Sequence, residues 1–291
     1  MSVLDQDYPN VEILLVDGGS TDGSLEIIQR YANRLTWWVS EKDSGQAEGI
    51  NKGLMRAKGV LAAWLNSDDY YFPGAISRAL DCWQNHPEAA LIYGDVAAVD
   101  ERGRVTNRMR TGEWQLADLM EFHILNQPAV FMNRTMLIQA GYLDTEFHYL
   151  LDHKLWLKMA SQGRMVHVPE IWAAGRFHPG AKNVAAAVRF GEDAYRLVSW
   201  MKNTTPYSQL GEGRWNRVEA GAHRINARYL LDAGRASEAF KAYWRGLMTH
   251  APAILPEWHR MLYALISLAG LGGLKRLFLG LRRLVRPVKM D

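Results

Sequence analysis

The sequence predicts an α/β domain followed by an all-helical extension, and three observations carry that expectation. From Val11 to about Trp64, apolar runs alternate with stretches of helical spacing. Turn clusters rich in Asp, Gly and Ser follow those runs directly, as strand-to-helix turns do in α/β sheets. Beyond about Lys182 only helical patterns continue.

Taken in order, Val11 to Val16 is a near-continuous apolar run of the kind found in buried parallel strands. The turn Asp17 to Gly23 leads into a helix over Ser24 to Ile28, capped by Asp22 or Ser24. Trp37 to Val39 reads as a second strand, Ala47 to Ala57 as a second helix and Val60 to Leu65 as a third strand. Pro73 suits the first turn of a helix running through Cys82 and Trp83. Leu91 to Val99 and Val105 to Met109 form a hairpin across a polar turn. A helix near Leu116 to Phe122, a strand at Ala129 to Met132 and helices at Arg134 to Ala140 and Asp152 to Ser161 precede a strand at Met165 to Val168. Farther on, Ala233-Gly234-Arg235 marks the turn of a helical hairpin. The expected division is a domain over 1–181 and a helical extension over 182–291.

Composition narrows the function. The 34 basic and 31 acidic residues balance too evenly to imply nucleic-acid binding. A single cysteine, Cys82, excludes an internal disulfide framework and multi-cysteine zinc sites, and fits a reducing cytoplasm. No secretory signal precedes Val11, and the longest apolar stretch, Met261 to Leu274, falls short of the ~20 residues of a spanning helix. The segment Lys275 to Lys289 carries six Lys or Arg and no acid, interleaved with Leu and Phe. It suits either a helix packed by its leucines or one lying on an anionic membrane face, which would place the protein peripherally at the inner face of the plasma membrane.

Two clusters carry chemistry. In Asn66-Ser67-Asp68-Asp69, carboxylates follow an apolar strand directly; such hard oxygen ligands suit Mg2+ or Mn2+ bridging a diphosphate, and they equally suit a capping turn. The second, Asp17 to Asp22, lies where α/β sheets bind nucleotides, yet has neither the dinucleotide glycine spacing nor that of a P-loop. An ordinary turn is its alternative.

Read together, Gln6 to Ile13, Val16 to Gly23, Ser40 to Gln46, Ile50-Asn51-Lys52-Gly53 and Asn66 to Asp69 resemble family 2 glycosyltransferases in content and order. The resemblance implies a GT-A nucleotide-diphospho-sugar transferase-like mixed sheet flanked by helices, and inverting transfer of a sugar from a nucleotide-diphosphate donor, UDP-linked, to a saccharide or lipid-linked saccharide in cell-surface polysaccharide synthesis. It assigns Asp17 to the base, with Ser20 and Asp22 around it, and Asp43 and Lys52 to the nucleotide pocket. Asp68 matches the principal metal ligand, beside Asp69 and with His178 as a further candidate; Asn66 stands where the family has its first Asp. On the acceptor side it implies Gln127 and Trp156, and Asp152 as catalytic base. For Asp152 a helix N-cap, and for Trp156 core packing, explain the same residue types.

The resemblance covers roughly 1–180 and begins near the end of the family's first helix. It implies that the first strand is absent, leaving an open edge beside Val11 to Val16. A catalytically impaired paralogue acting as a binding protein is the alternative reading. A nucleotidyltransferase is a more distant one, since no Gly-rich basic loop opens the chain.

Overall fold

A computed structural model of the chain describes residues 1–177 and 186–268. Two compact units result: Met1–Leu116 with Ile124–Arg176, and Ala117–His123 with the residues from Phe177 onward.

The first unit begins with β1 (Leu14–Asp17), α1 (Ser24–Tyr31), β2 (Trp37–Ser40) and α2 (Gln46–Leu54). β1 and β2 pair in parallel, Leu14 opposite Trp37 through Asp17 opposite Ser40, as a two-stranded sheet of their own. Leu14, Leu15 and Val16 are therefore half-buried, where the apolar run predicts a buried strand. The cap of α1 also differs in detail: Gly23 occupies the N-cap in a left-handed conformation, and Asp22, one residue earlier, accepts from the amide and hydroxyl of Ser24.

The larger sheet holds β3 (Leu61–Ala62), β4 (Tyr70–Tyr71), β5 (Leu91–Val99), β6 (Val105–Met109), β7 (Val130–Asn133) and β8 (Met165–Arg176). Its order is β3-β7-β5-β8-β4, with β6 paired to β5. Only the β5–β8 pairing is parallel, so the sheet is mixed. Every residue of β5 is buried, which its composition Leu-Ile-Tyr-Gly-Asp-Val-Ala-Ala-Val permits with one carboxylate to satisfy. Gly94 is required there, because a Cβ would stand 2.6 Å from the Trp172 ring. Ile92, Val96, Phe131 and Trp172 centre the core, closed on one side by Ala75 and Ala79 of α3 (Ala75–Asn85).

Two strands depart from their sequence boundaries. β3 pairs with β7 at only two positions, so the apolar residues after Ala62 enter a loop. β8 continues eight residues past Val168, through exposed Pro169 and Glu170, because register shifts against β5 between Tyr93 and Val96 absorb the interruption. Pro73 lies before α3, whose N-cap is Gly74 in a left-handed conformation, and not in its first turn. α5 (Arg134–Ala140) and α6 (Leu151–Ala160) complete the helices of this unit, while α4 (Leu116–Met120) falls, all but its first residue, in the second.

The second unit contains α7 (Ala187–Lys202), the single turn α8 (Tyr207–Leu210), α9 (Trp215–Asp232), α10 (Ala236–Ile254) and α11 (Trp258–Leu268). α9 and α10 form the expected hairpin, turning at Gly234 with φ 77°. Ala227, Leu231, Ala239 and Tyr243 pack between them. Inside this unit Arg224 donates to the carbonyls of Glu121, Phe122 and Ala253, and buried Glu257 pairs with Arg228 while accepting from the Tyr243 hydroxyl at 3.0 Å. Among the described residues, no helix is long and apolar enough to cross a membrane. Lys275 to Lys289 and His178 lie outside the described residues.

Candidate active site

Asp17 ends β1 and organises the turn behind it. One carboxylate oxygen accepts the Ser20 hydroxyl at 2.5 Å; the other accepts the Ser40 hydroxyl at 2.7 Å and the amides of Gly19 and Ser20. The hydroxyls of Ser20 and Ser40, helped by the two amides, hold this carboxyl below its ordinary value despite burial. Asp17 thereby fastens the ends of both β1 and β2, a role for Ser40 that the sequence motifs did not disclose.

Asp43 lies between Gly18 and Gly49. A Cβ on either glycine would approach its carboxylate oxygen to 2.8 and 2.9 Å, so two backbones from different elements close around one side chain. Asp43 also accepts from the Gly45 amide at 3.0 Å. Lys52, on the next turn of α2, is bridged to Glu41 at 3.1 Å and Glu48 at 3.0 Å, so its charge is shared between two carboxylates.

The loop from Trp64 to Asp69 forms the second cluster. The Asn66 amide donates to Asp69 at 3.3 Å and to Gln127 at 3.2 Å, while its oxygen accepts from Gln46 at 3.1 Å. Gln127 in turn donates to the Trp64 carbonyl at 2.7 Å, so it braces the loop from beneath. Asp69 accepts from the Arg176 amide at 2.9 Å; burial raises its carboxyl above the ordinary value against that hydrogen bond. Arg176 also donates to the Asp68 carbonyl at 3.1 Å and to the carbonyls of Asp100 and Glu101, tying the loop to the β5–β6 hairpin. Among the described residues no group of three or more His, Cys, Asp or Glu is placed to hold a metal.

Asp152, expected on the acceptor side, is the second residue of α6, whose N-cap is Leu150. The capping alternative is thus not what the fold shows; its carboxylate accepts from the next amide, that of His153, at 2.7 Å. Trp156, one turn on, is fully buried and stacks on Trp64 at 5.2 Å. Its position excludes a direct platform for a sugar; it docks α6 on the loop that carries Asp68. A further tie is Asn51 of α2, buried and paired to both backbone groups of Leu143 at 2.9 and 3.1 Å. The neighbouring Asp144 bonds Lys154, two residues after Asp152 in α6. Asn51 stands at a core position of α2, with Ala47 and Leu54, and a polar residue in that register is the signal that could have found it.

Asp17 at the end of β1, the glycines closing on Asp43, the Trp64–Asp69 loop and Asp152 of α6 share one unit whose mixed sheet is flanked by helices, an α/β domain of the GT-A type. Residues 1–141 match the model of glycosyl transferase family 2, and this N-terminal unit belongs to that family. Among curated relatives, an uncharacterized glycosyltransferase of Rickettsia typhi is 25% identical over 220 residues, covering 72% of this chain and 68% of the relative. The chondroitin synthase of Escherichia coli is 25% identical over 173 residues, 58% of this chain and 25% of the synthase. The chain thus spans between a quarter and about two thirds of these relatives' lengths. Two solved structures share the fold. TarS 1–349 of S. aureus in complex with UDP-GlcNAc has a TM-score of 0.57 at 15% identity, covering 100% of this chain and 88% of the other. The mannosyltransferase PcManGT of Pyrobaculum calidifontis in complex with GDP-Man and Mn2+ has a TM-score of 0.58 at 19% identity, covering 92% and 80%.

Proposed function

We propose that the protein moves a sugar from a nucleotide-diphosphate donor, a UDP-sugar, to a saccharide or lipid-linked saccharide acceptor with inversion, in the synthesis of a cell-surface polysaccharide. The observation that carries this reading is the braced Trp64–Asp69 loop, where Gln46, Gln127 and Arg176 converge to fix the segment bearing Asp68. Family membership, the UDP-GlcNAc complex of TarS and the chondroitin synthase relative support donor and product class.

Asp17 with Ser20, and Asp43 within its glycine cradle, line the nucleotide side; Asp22 shapes the turn and Lys52 borders it. A divalent cation, Mg2+ or Mn2+, supplies charge neutralisation of the departing diphosphate when bound. Asp68, with Asp69 beside it, would hold it together with phosphate oxygens; a site of one or two carboxylates plus phosphates is usual for such hard cations. The Mn2+ complex of PcManGT supports that reading. Asp152 takes the proton from the acceptor hydroxyl as its oxygen attacks the anomeric carbon from the side opposite the diphosphate, which gives inversion.

Asp152→Asn tests the assignment, because it keeps the side chain's size and removes its basicity. Turnover falls by about 10²–10⁴-fold while UDP affinity, measured by titration calorimetry, stays unchanged. A variant that retains turnover removes Asp152 from the role.

A further inference from the structure

We propose that the outer surface of α10 and α11 is a docking face for an anionic lipid surface. The proposal does not depend on sugar transfer, since it concerns the helical unit alone.

Every exposed side chain between Lys241 and Leu268 is apolar, a proline or a cation. The one carboxylate in that stretch, Glu257, is buried and paired with Arg228. On α11, Trp258, Leu262, Leu265 and Leu268 recur every three or four residues and are 43–62% exposed, so one outward stripe is wholly apolar. The helix does not need that stripe for its own packing, because Met261, Tyr263 and Ala264 already face the helical core. A helix on a water-facing surface normally turns charged residues outward; this one does the reverse.

On α10, Trp244 and Met248 are 51% and 71% exposed, with exposed Lys241 and Arg245 between and beside them. Tryptophan and leucine alongside Lys and Arg are what an interfacial helix presents to headgroups and acyl chains. The sequence that follows adds six Lys or Arg and no acid from Lys275 to Lys289. A second copy of the chain would oppose these cations with cations, whereas an anionic bilayer neutralises them and receives the leucines.

The test is co-sedimentation of the full chain with phosphatidylcholine vesicles and with equimolar phosphatidylcholine–phosphatidylglycerol vesicles. Binding to the anionic vesicles is expected, with little to phosphatidylcholine alone. Leu262→Glu with Leu265→Glu weakens it by more than about tenfold, as loss of buried apolar area requires. Lys241→Glu with Arg245→Glu weakens it by about fivefold per charge, and less at high salt. All four positions are at the surface, so circular dichroism and melting temperature confirm that the variants fold. Absence of vesicle binding overturns the proposal, as does equal binding by the leucine variant, which would leave attraction to the tail alone. Self-association without vesicles that the leucine variant abolishes overturns it in favour of a second copy.

Discussion

At the scale of single residues, the site is built from carboxylates whose surroundings differ. Asp17 is saturated by hydroxyls and amides and keeps its charge readily, while Asp69 is raised by burial and spends its oxygens on Arg176 and Asn66. Asp68, which lies in the same loop as Asp69, is the residue proposed to hold the cation. Asp43 offers a sharper handle, since its place depends on Gly49 having no Cβ. Gly49→Ala should favour α2 by up to about 1 kcal/mol on helix propensity, yet a Cβ 2.9 Å from the carboxylate must displace Asp43. The expected outcome is a maintained melting temperature with UDP affinity weakened by about tenfold, on the order of one lost charge-assisted hydrogen bond. Unchanged affinity would remove Asp43 from the pocket.

At the scale of elements, the hairpin β5–β6, most helices and the β1–β2 strands were legible, because apolar spacing and turn residues are local signals. The two-residue length of β3 and the twelve-residue length of β8 were not; both follow from sheet partners distant in sequence. The same holds for the site. Asp17 and Asp68 announce themselves by following apolar runs, whereas the Asn51–Leu143 clamp spans 92 residues and the Trp64–Trp156 stack joins a loop to a remote helix. By residue type Trp156 suits both a sugar platform and core packing, and only its full burial favours packing. In the helical unit the buried Glu257 makes a prediction with a definite sign. Burial alone would raise its carboxyl, but Arg228 and Arg224 bring it below the ordinary 4.5. A depressed folded value means stabilisation that is complete above that pH and lost as pH falls through the folded value. Thermal melts should therefore drop in temperature below about pH 4.5. Glu257→Gln should flatten that dependence and destabilise the unit at neutral pH by about 1–3 kcal/mol, the order of a lost hydrogen bond to a charged group, because Arg228 is partly exposed and Arg224 keeps its carbonyl partners. A pH profile identical to that of the unsubstituted chain would show that Glu257 does not govern the acid limb.

At the scale of the whole molecule, two units divide the chemistry: one gathers carboxylates and glycines at strand ends, the other gathers cations and exposed apolar residues. Family membership fixes the ancestry of the first, whose braced loop is proposed to serve a cation-assisted nucleotide-sugar site. The decisive experiment titrates UDP into the purified chain, with Mn2+ and then with chelator, beside Asp68→Ala. Saturable binding that requires both the cation and Asp68 is expected. Binding indifferent to either one, or none by a folded chain, would contradict that proposal.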